Sequence, residues 1–393
     1  MARIQLDELD GRGVSCILEP DVAAALVKSG LVNLRSEGNS TWRALPRGKV
    51  GCVSFRGIDV TVTSKATPAS LLFYLAYAKD PGFRVGNVAA EAGDDLWAAF
   101  AETLIRTAEL ALRDGVLQSY LTVDDSICVI RGRIRVSDQV TRRHGAPAPV
   151  EVRYDDYTVD IAENQILRAA IRRMLGVPRL SNSARRRLAH LDGKLAGVTP
   201  VSAQRLPAWV KSRLNRRYQP ALRIAELVLG DQSTVSKGGG AVLAGFVVNM
   251  ATVFENFVVV AIREAFRGLG TTSAKFGVHL ADGERIPMEP DVVHLRNDVP
   301  VAVFDAKYKL ARKSGRYPNA DIYQMLAYCT ALQLRQGWLI YAVGGADTAA
   351  IRVKNGGIEI HQYAVDLRLK PAEVLERIEH IVRSSVAHLP AAS

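Results

Sequence analysis

An α/β C-terminal domain, preceded by a β-rich N-terminal module and a basic, largely helical middle region, is the architecture this sequence predicts. Three observations carry it. Two short β-branched and aromatic runs, 292–295 and 299–304, sit between an apolar helical pattern at 250–262 and a helix-then-strand pattern at 321–343, a mixed α/β order. Strand-like runs separated by Gly and Asn turns fill most of the first 66 residues. Between them, Arg131 to Arg223 holds 20 Lys or Arg against 7 Asp or Glu, more than the whole excess of a chain whose net charge is +11.

A length of 393 residues fits two or three domains, and 48% hydrophobic residues suffice for real cores. The expected segments are 1–130, 131–237 and 238–393. The concentration of positive charge makes nucleic acid the expected partner. No basic helix with a Trp/Phe face speaks for a membrane surface. Cys16, Cys52, Cys128 and Cys329 show no Cys-x-x-Cys spacing, which argues against a zinc site or a disulfide framework. The N-terminus lacks an apolar signal core, and with free thiols this predicts a cytoplasmic protein.

In chain order, 14–18, 31–34, 49–55 and the alternating 58–63 are expected strands, with a short helix over 21–29 stopped by Gly30. Thr67 as N-cap and Pro68 at the first helical position open a helix through Ala78, and a longer one runs from Asp94 or Asp95 to Arg113. Strands are expected at 116–123 and 127–136, where Arg131, Arg133 and Arg135 would face one way, followed by a stiff loop from Gly145 to Pro149. Helices over 163–175, 184–195 and 209–229 carry the candidate phosphate contacts Arg185, Arg186, Arg187, Arg213, Arg216 and Arg217, while Arg168, Arg172 and Arg173 are expected on an outward face. Residues 231–240 read as a linker. The apolar run 241–262 reads as a buried helix, because Asn249, Thr252, Glu255 and Asn256 interrupt it and exclude a membrane span.

The chemistry concentrates between Met288 and Leu310. Asp291 enters the first expected strand and Asp305 leaves the second; a hairpin turn at 296–298 would set them side by side, with Lys307 on the face of Asp305. Paired carboxylates are hard oxygen ligands for Mg²⁺, with Mn²⁺ as the alternative, and a metal so held acidifies water and offsets phosphate charge. Lys307 would hold or polarise the attacking water. Pro290-Asp291 followed by Asp305-Ala306-Lys307 resembles the PD-(D/E)xK nuclease motif. Glu255, a carboxylate among apolar helical neighbours, is expected to meet the metal or a cation such as Arg263. Gln324 is a further candidate for the phosphate or the water, and Glu289 a secondary one.

Taken together, Gly57–Ala78, Arg131-Gly132-Arg133 with Asp138-Gln139, the stretch from Tyr154-Asp155-Asp156-Tyr157 to Glu163-Asn164-Gln165-Ile166-Leu167, Phe254-Glu255 and the motif through Tyr308-Lys309 resemble the McrC subunit family of 5-methylcytosine-dependent restriction systems. The resemblance implies a restriction-endonuclease-like core and an Mg²⁺-dependent DNA endonuclease subunit. It also implies a McrB-like AAA+ GTPase hexamer as partner, docked by the N-terminal region. By the same resemblance Asp291 and Asp305 are metal ligands, Lys307 the catalytic lysine, and Glu255 a looser match. The chain has no Gly-x-x-x-x-Gly-Lys-[Ser/Thr], so a nucleotide-driven step belongs to another polypeptide. A RecB-like repair nuclease component and a non-catalytic DNA-binding adaptor of an AAA+ ring are the competing readings.

Overall fold

The computed structural model describes residues 2–8, 10–88, 95–144, 146–177, 180–202, 205–230, 233–238, 241–308, 319–342 and 348–386. Asp94, Gly145, Asp231, Gln232, Gly239, Gly240, Lys309, Leu310 and Val343, which fall in the strands, loops and motifs read above, lie outside them. The fold is mixed α/β with several sheets. Contacts group the chain into two compact units, Met1–Phe100 with Gln232–Ser393, and Ala101–Asp231. These boundaries differ from the consecutive segments anticipated from composition.

The first unit joins both ends of the sequence in one five-stranded sheet. Ala2–Asp7 runs parallel to Ile58–Thr63, which pairs antiparallel with Val50–Phe55, and the next two strands come from far along the chain, Ala241–Val248 and Ser233–Gly238. Two expectations fail here. The presumed linker contains a strand, and the run 241–262 is a strand followed by a helix, Met250–Ala265. A continuous apolar run fits a buried strand as well as a buried helix. Asn249 decides the boundary, its side chain capping the helix by accepting from the Ala251 N–H at 2.9 Å. Gly51 is required where the strands cross: its φ is +143°, and a Cβ there would stand 1.9 Å from the Phe246 carbonyl oxygen.

The helix Pro68–Lys79 starts as its sequence demands, with Thr67 Oγ1 accepting from the Ser70 N–H at 3.1 Å and Pro68 in the first turn. It is buried on nearly every side because it packs on the Met250–Ala265 helix. Phe257 is the centre of that contact, with ring centroids 4.5 Å from Tyr74, 5.5 Å from Tyr77 and 6.4 Å from Phe73. Residues from the first hundred and from the C-terminal region thus share one aromatic core.

A second, six-stranded sheet of the same unit carries the motif. Its order is Thr271–Ala274, Val292–Arg296, Val299–Lys307, Gln336–Tyr341, Glu359–Ala364 and Thr348–Arg352. Val299–Lys307, Gln336–Tyr341 and Glu359–Ala364 are mutually parallel, and the first crossover passes through the helix Asn319–Ala331. Parallel neighbours must be covered on both faces, which explains the unbroken burial of Gly337 to Tyr341.

In the second unit the helices Ala162–Leu175, Asn182–Lys194 and Gln219–Leu229 pack beside a three-stranded sheet of Ser119–Ile127, Val150–Thr158 and Arg133–Ile134. The expected helix over 209–229 begins only at Gln219. Ahead of it the Asn215 side chain donates to the Val210 carbonyl and to Glu163, both at 2.8 Å, and accepts from the Ser212 N–H, holding a compact turn in place of helix. The strand expected over 127–136 shrinks to two residues, and Val136–Arg143 is helical. Arg168 points inward, against expectation: it is 7% exposed and braces Asp192 and the carbonyls of Ala196 and Val198.

Because Phe257 ties the N-terminal helix to the helix bearing Glu255, Phe257→Ala should cost about 3–5 kcal/mol of stability, read as a shift in denaturant midpoint. A loss below about 1 kcal/mol would show that the two helices are not one core.

Candidate active site

The motif hairpin turns through two residues, Asn297 and Asp298, both at positive φ (50° and 62°), the conformation Asn and Asp tolerate best among non-glycine residues. Arg296 pairs with Val299, and the register shifts between His294 and Leu295 so that Val292 pairs with Phe304. That irregularity matters. Counted straight from Arg296–Val299, Asp291 would oppose Phe304; with the shift it comes opposite Asp305, on the same side of the sheet. Asp291 Oδ2 then accepts the Ala306 N–H at 2.8 Å, which locks the carboxylate beside the residue preceding Lys307.

Asp305 is 3% exposed, and the Lys307 ammonium stands 2.5 Å from its Oδ2. The contact is a short, buried ion pair. Burial raises the Asp305 carboxyl above its ordinary range against the pull of Lys307, with Asp321 and Glu255 adding repulsion. Burial likewise pushes Asp291 up to about 7, helped by Asp305 and Glu255 and opposed by the Ala306 N–H and Lys307. Asp291, Asp305, Glu255 and Lys307 therefore form one electrostatic group.

Glu255 lies at the edge of this group. Its side chain is 31% exposed, less buried than its apolar neighbours suggested, and its cation is Lys275 at 3.8 Å rather than Arg263. Gln324 is exposed and donates to the Tyr328 hydroxyl at 2.7 Å. Sequence reasoning missed two side chains here. Tyr328 is 3% exposed, feels both Asp305 and Asp291, and has its hydroxyl pushed up to about 12 by burial. Asp321 is 2% exposed, repels Asp305 and accepts from the Tyr341 hydroxyl at 3.3 Å. The polar positions Asp321, Gln324 and Tyr328 recur at helical spacing along Asn319–Ala331, and that polar spacing was the available signal. Glu289 is exposed, and its carbonyl lies 3.5 Å from the Tyr328 hydroxyl.

The donor set suits a hard divalent cation. Two carboxylates meet at one strand end, Asp305 is almost wholly buried, and their mutual repulsion is what a bound cation would relieve. Among the described residues no group of three or more His, Cys, Asp or Glu is already gathered closely enough to enclose an ion. Mg²⁺ does not require such a cage, since one or two carboxylates, waters and substrate phosphate complete its shell.

The six candidate arginines divide. Arg187 is spent on Glu109 and Glu102 at 2.7 and 2.8 Å, Arg217 on Asp114 and the Gly115 carbonyl, and Arg185 on the carbonyls of Leu175 and Val177 at a helix end. Arg186, Arg213 and Arg216 are exposed, with no hydrogen bond or ion pair among the described residues. Arg131 and Arg135 are paired with Asp156 and with Asp124 and Asp138.

A family model described as McrBC 5-methylcytosine restriction system component matches residues 46–342. No curated protein matches. Among solved structures, the chain resembles one from the refined half-complex of a tetradecameric assembly of Thermococcus gammatolerans McrB AAA+ hexamers with bound McrC, at 16% identity and TM-score 0.63, covering 98% of this chain and 100% of that one. A chain of the cryo-EM structure of the Thermococcus gammatolerans McrBC complex matches at 16% identity and TM-score 0.45, covering 67% and 88%. No helix among the described residues is long and apolar enough to cross a membrane.

The raised Asp291 carboxyl has a pH consequence. The native state holds this proton more tightly than the unfolded chain, so the group lowers stability progressively as pH rises from about 4 to above 7. Asp291→Asn in metal-free protein should raise the melting temperature at pH 8 and lose that advantage near pH 4. An equal shift at both pH values would contradict a perturbed Asp291.

Proposed function

Because this chain belongs to the family of McrBC 5-methylcytosine restriction system components, we propose that it is the McrC-type subunit and that Asp291, Asp305 and Lys307 form a PD-(D/E)xK nuclease site. The observation that carries this reading is their convergence at one strand end, with Asp305 buried against the Lys307 ammonium and Asp291 tied to the Ala306 N–H. Asp291 and Asp305 would hold Mg²⁺, or Mn²⁺ in its place, with Glu255 reaching in from the neighbouring helix. Bound there, the cation supplies positive charge to the scissile phosphate and acidifies water.

The chain's own side chains do the rest. Lys307, held on the Asp305 side, orients the attacking water and offsets developing negative charge on the phosphate. Tyr328 and Gln324, hydrogen-bonded to each other, border the same carboxylates and can donate to a phosphate oxygen. The Asp321 charge repels that of Asp305 and adds to the pull of the site on a cation. Arg186, Arg213 and Arg216 are the arginines of the basic unit available for DNA phosphates, since the other three candidates are already engaged.

An AAA+ GTPase ring is the proposed partner, by analogy with the McrB hexamers of the similar structure. Docking, expected over residues 1–130, is better assigned to the small sheet of the second unit. Tyr120 and Tyr157 on its strands, and Val129, Ile130, Val136 and Val140 in the segments that join them, are each more than half exposed, and exposed apolar side chains gathered in number mark interaction surfaces. The first hundred residues are instead built into the core beneath the site.

The test is cleavage of 5-methylcytosine-bearing supercoiled plasmid by the full chain with and without the ring and GTP. Cutting should require all components and Mg²⁺, and Asp305→Ala should reduce it by about 10²–10³ or more with the fold intact. Wild-type cutting by Asp305→Ala would overturn the site; robust cutting by the chain alone would overturn the ring requirement.

A further inference from the structure

We propose that Glu8 is a positioning residue for Lys307, acting through Tyr308. This deepens the nuclease reading and rests on it. Tyr308 follows Lys307 directly, where the chain leaves the motif strand. Its hydroxyl donates to Glu8 Oε1, a residue 300 positions away at the end of the N-terminal strand Ala2–Asp7. Glu8 is 9% exposed, a rare degree of burial for a glutamate, which needs a partner to be tolerated. The Tyr308 ring also lies 6.2 Å from Phe254, the neighbour of Glu255. One phenol therefore links the N-terminal sheet, the Glu255 helix and the end of the motif strand.

The residues on either side of Lys307 are thus both pinned by carboxylates. Ala306 is held by its N–H on Asp291, inside the site, and Tyr308 by its hydroxyl on Glu8, outside it. Lys307 itself adds the contact of its ammonium with Asp305 and a backbone tie, its carbonyl accepting from the Ala342 N–H at 3.1 Å. A lysine is a flexible stem carrying a point charge, so where its ammonium sits depends on how firmly its backbone is fixed. Without the Glu8 anchor, the strand end would keep its ties at Ala306 and Lys307 but lose the hold on the residue that follows. No metal ligand and no substrate contact would be lost, only the placement of the ammonium.

The experiment compares Tyr308→Phe, Glu8→Ala and Glu8→Gln in the full chain, with two readouts. The first, on metal-free protein without partner, is hydrogen exchange of the Ala306 and Ala342 amides, which report both sides of Lys307. The second is single-turnover plasmid cleavage in the complete complex. Tyr308→Phe and Glu8→Ala should speed exchange at these amides and slow the cleavage step about tenfold or more, at unchanged DNA affinity. Glu8→Gln, whose amide oxygen still accepts the phenol, should restore both toward wild type. Combining Tyr308→Phe with Glu8→Ala should cost no more than Glu8→Ala alone, because Glu8→Ala already breaks the phenol contact along with the Glu8 contact to Lys65. Exchange and cleavage unchanged in Tyr308→Phe would overturn the proposal, as would a failure of Glu8→Gln to rescue. If the wild-type complex does not cut at all, the nuclease reading fails, while the exchange arm still decides the anchor.

Discussion

Two carboxylates that repel each other are brought together at the open end of one β-hairpin, and much of the surrounding structure holds that arrangement in place. The Asn297-Asp298 turn and the register shift after His294 put Asp291 opposite Asp305. The cost is visible in the raised affinity of both groups for protons. Lys307 and the Ala306 N–H offset part of it, and a bound cation would offset the remainder. A group this unfavourable in isolation is the kind of local conflict that functional sites retain and scaffolds tolerate.

The scaffold that tolerates it is drawn from distant parts of the chain. The motif strand is covered by a helix whose Phe257 is gripped by three aromatic rings from the Pro68–Lys79 helix, and the strand leading into that helix completes a sheet begun at Ala2. Residues that look like a separate N-terminal module are therefore structural supports of the site. In the second unit most of the conspicuous positive charge is consumed internally, by Asp192, Glu102, Glu109, Asp124 and helix-end carbonyls. The net charge remains, but fewer arginines are left to meet phosphates than the count implies.

The site was more legible in the sequence than the fold. Pro290-Asp291 and Asp305-Ala306-Lys307 flank two β-branched runs that read as a hairpin, so the proximity of the carboxylates, though not their direct opposition, followed from spacing. The register shift that makes the opposition work left no mark in residue type. The strand Ser233–Gly238 was hidden because Gly and Ser dominate it and its stability comes from a partner strand rather than from propensity. Strand and helix could not be told apart across 241–248, where a continuous apolar run fits either. Arg168 was misplaced because helical periodicity ranks it as polar, while its carbonyl and Asp192 partners lie far along the chain. Tyr308 to Glu8, 300 residues apart, is a contact no local pattern encodes.

The central claim is that Asp291 and Asp305 together hold a divalent cation. Calorimetric titration of the metal-free full chain with Mn²⁺ tests it without reference to DNA, nucleotide or partner. The account predicts saturable binding that releases protons near pH 7, since a cation displaces the proton held by Asp291, and loss of that binding in both Asp291→Ala and Asp305→Ala. Mn²⁺ binding by Asp305→Ala equal to that of the wild type, or none by the wild type, would contradict it.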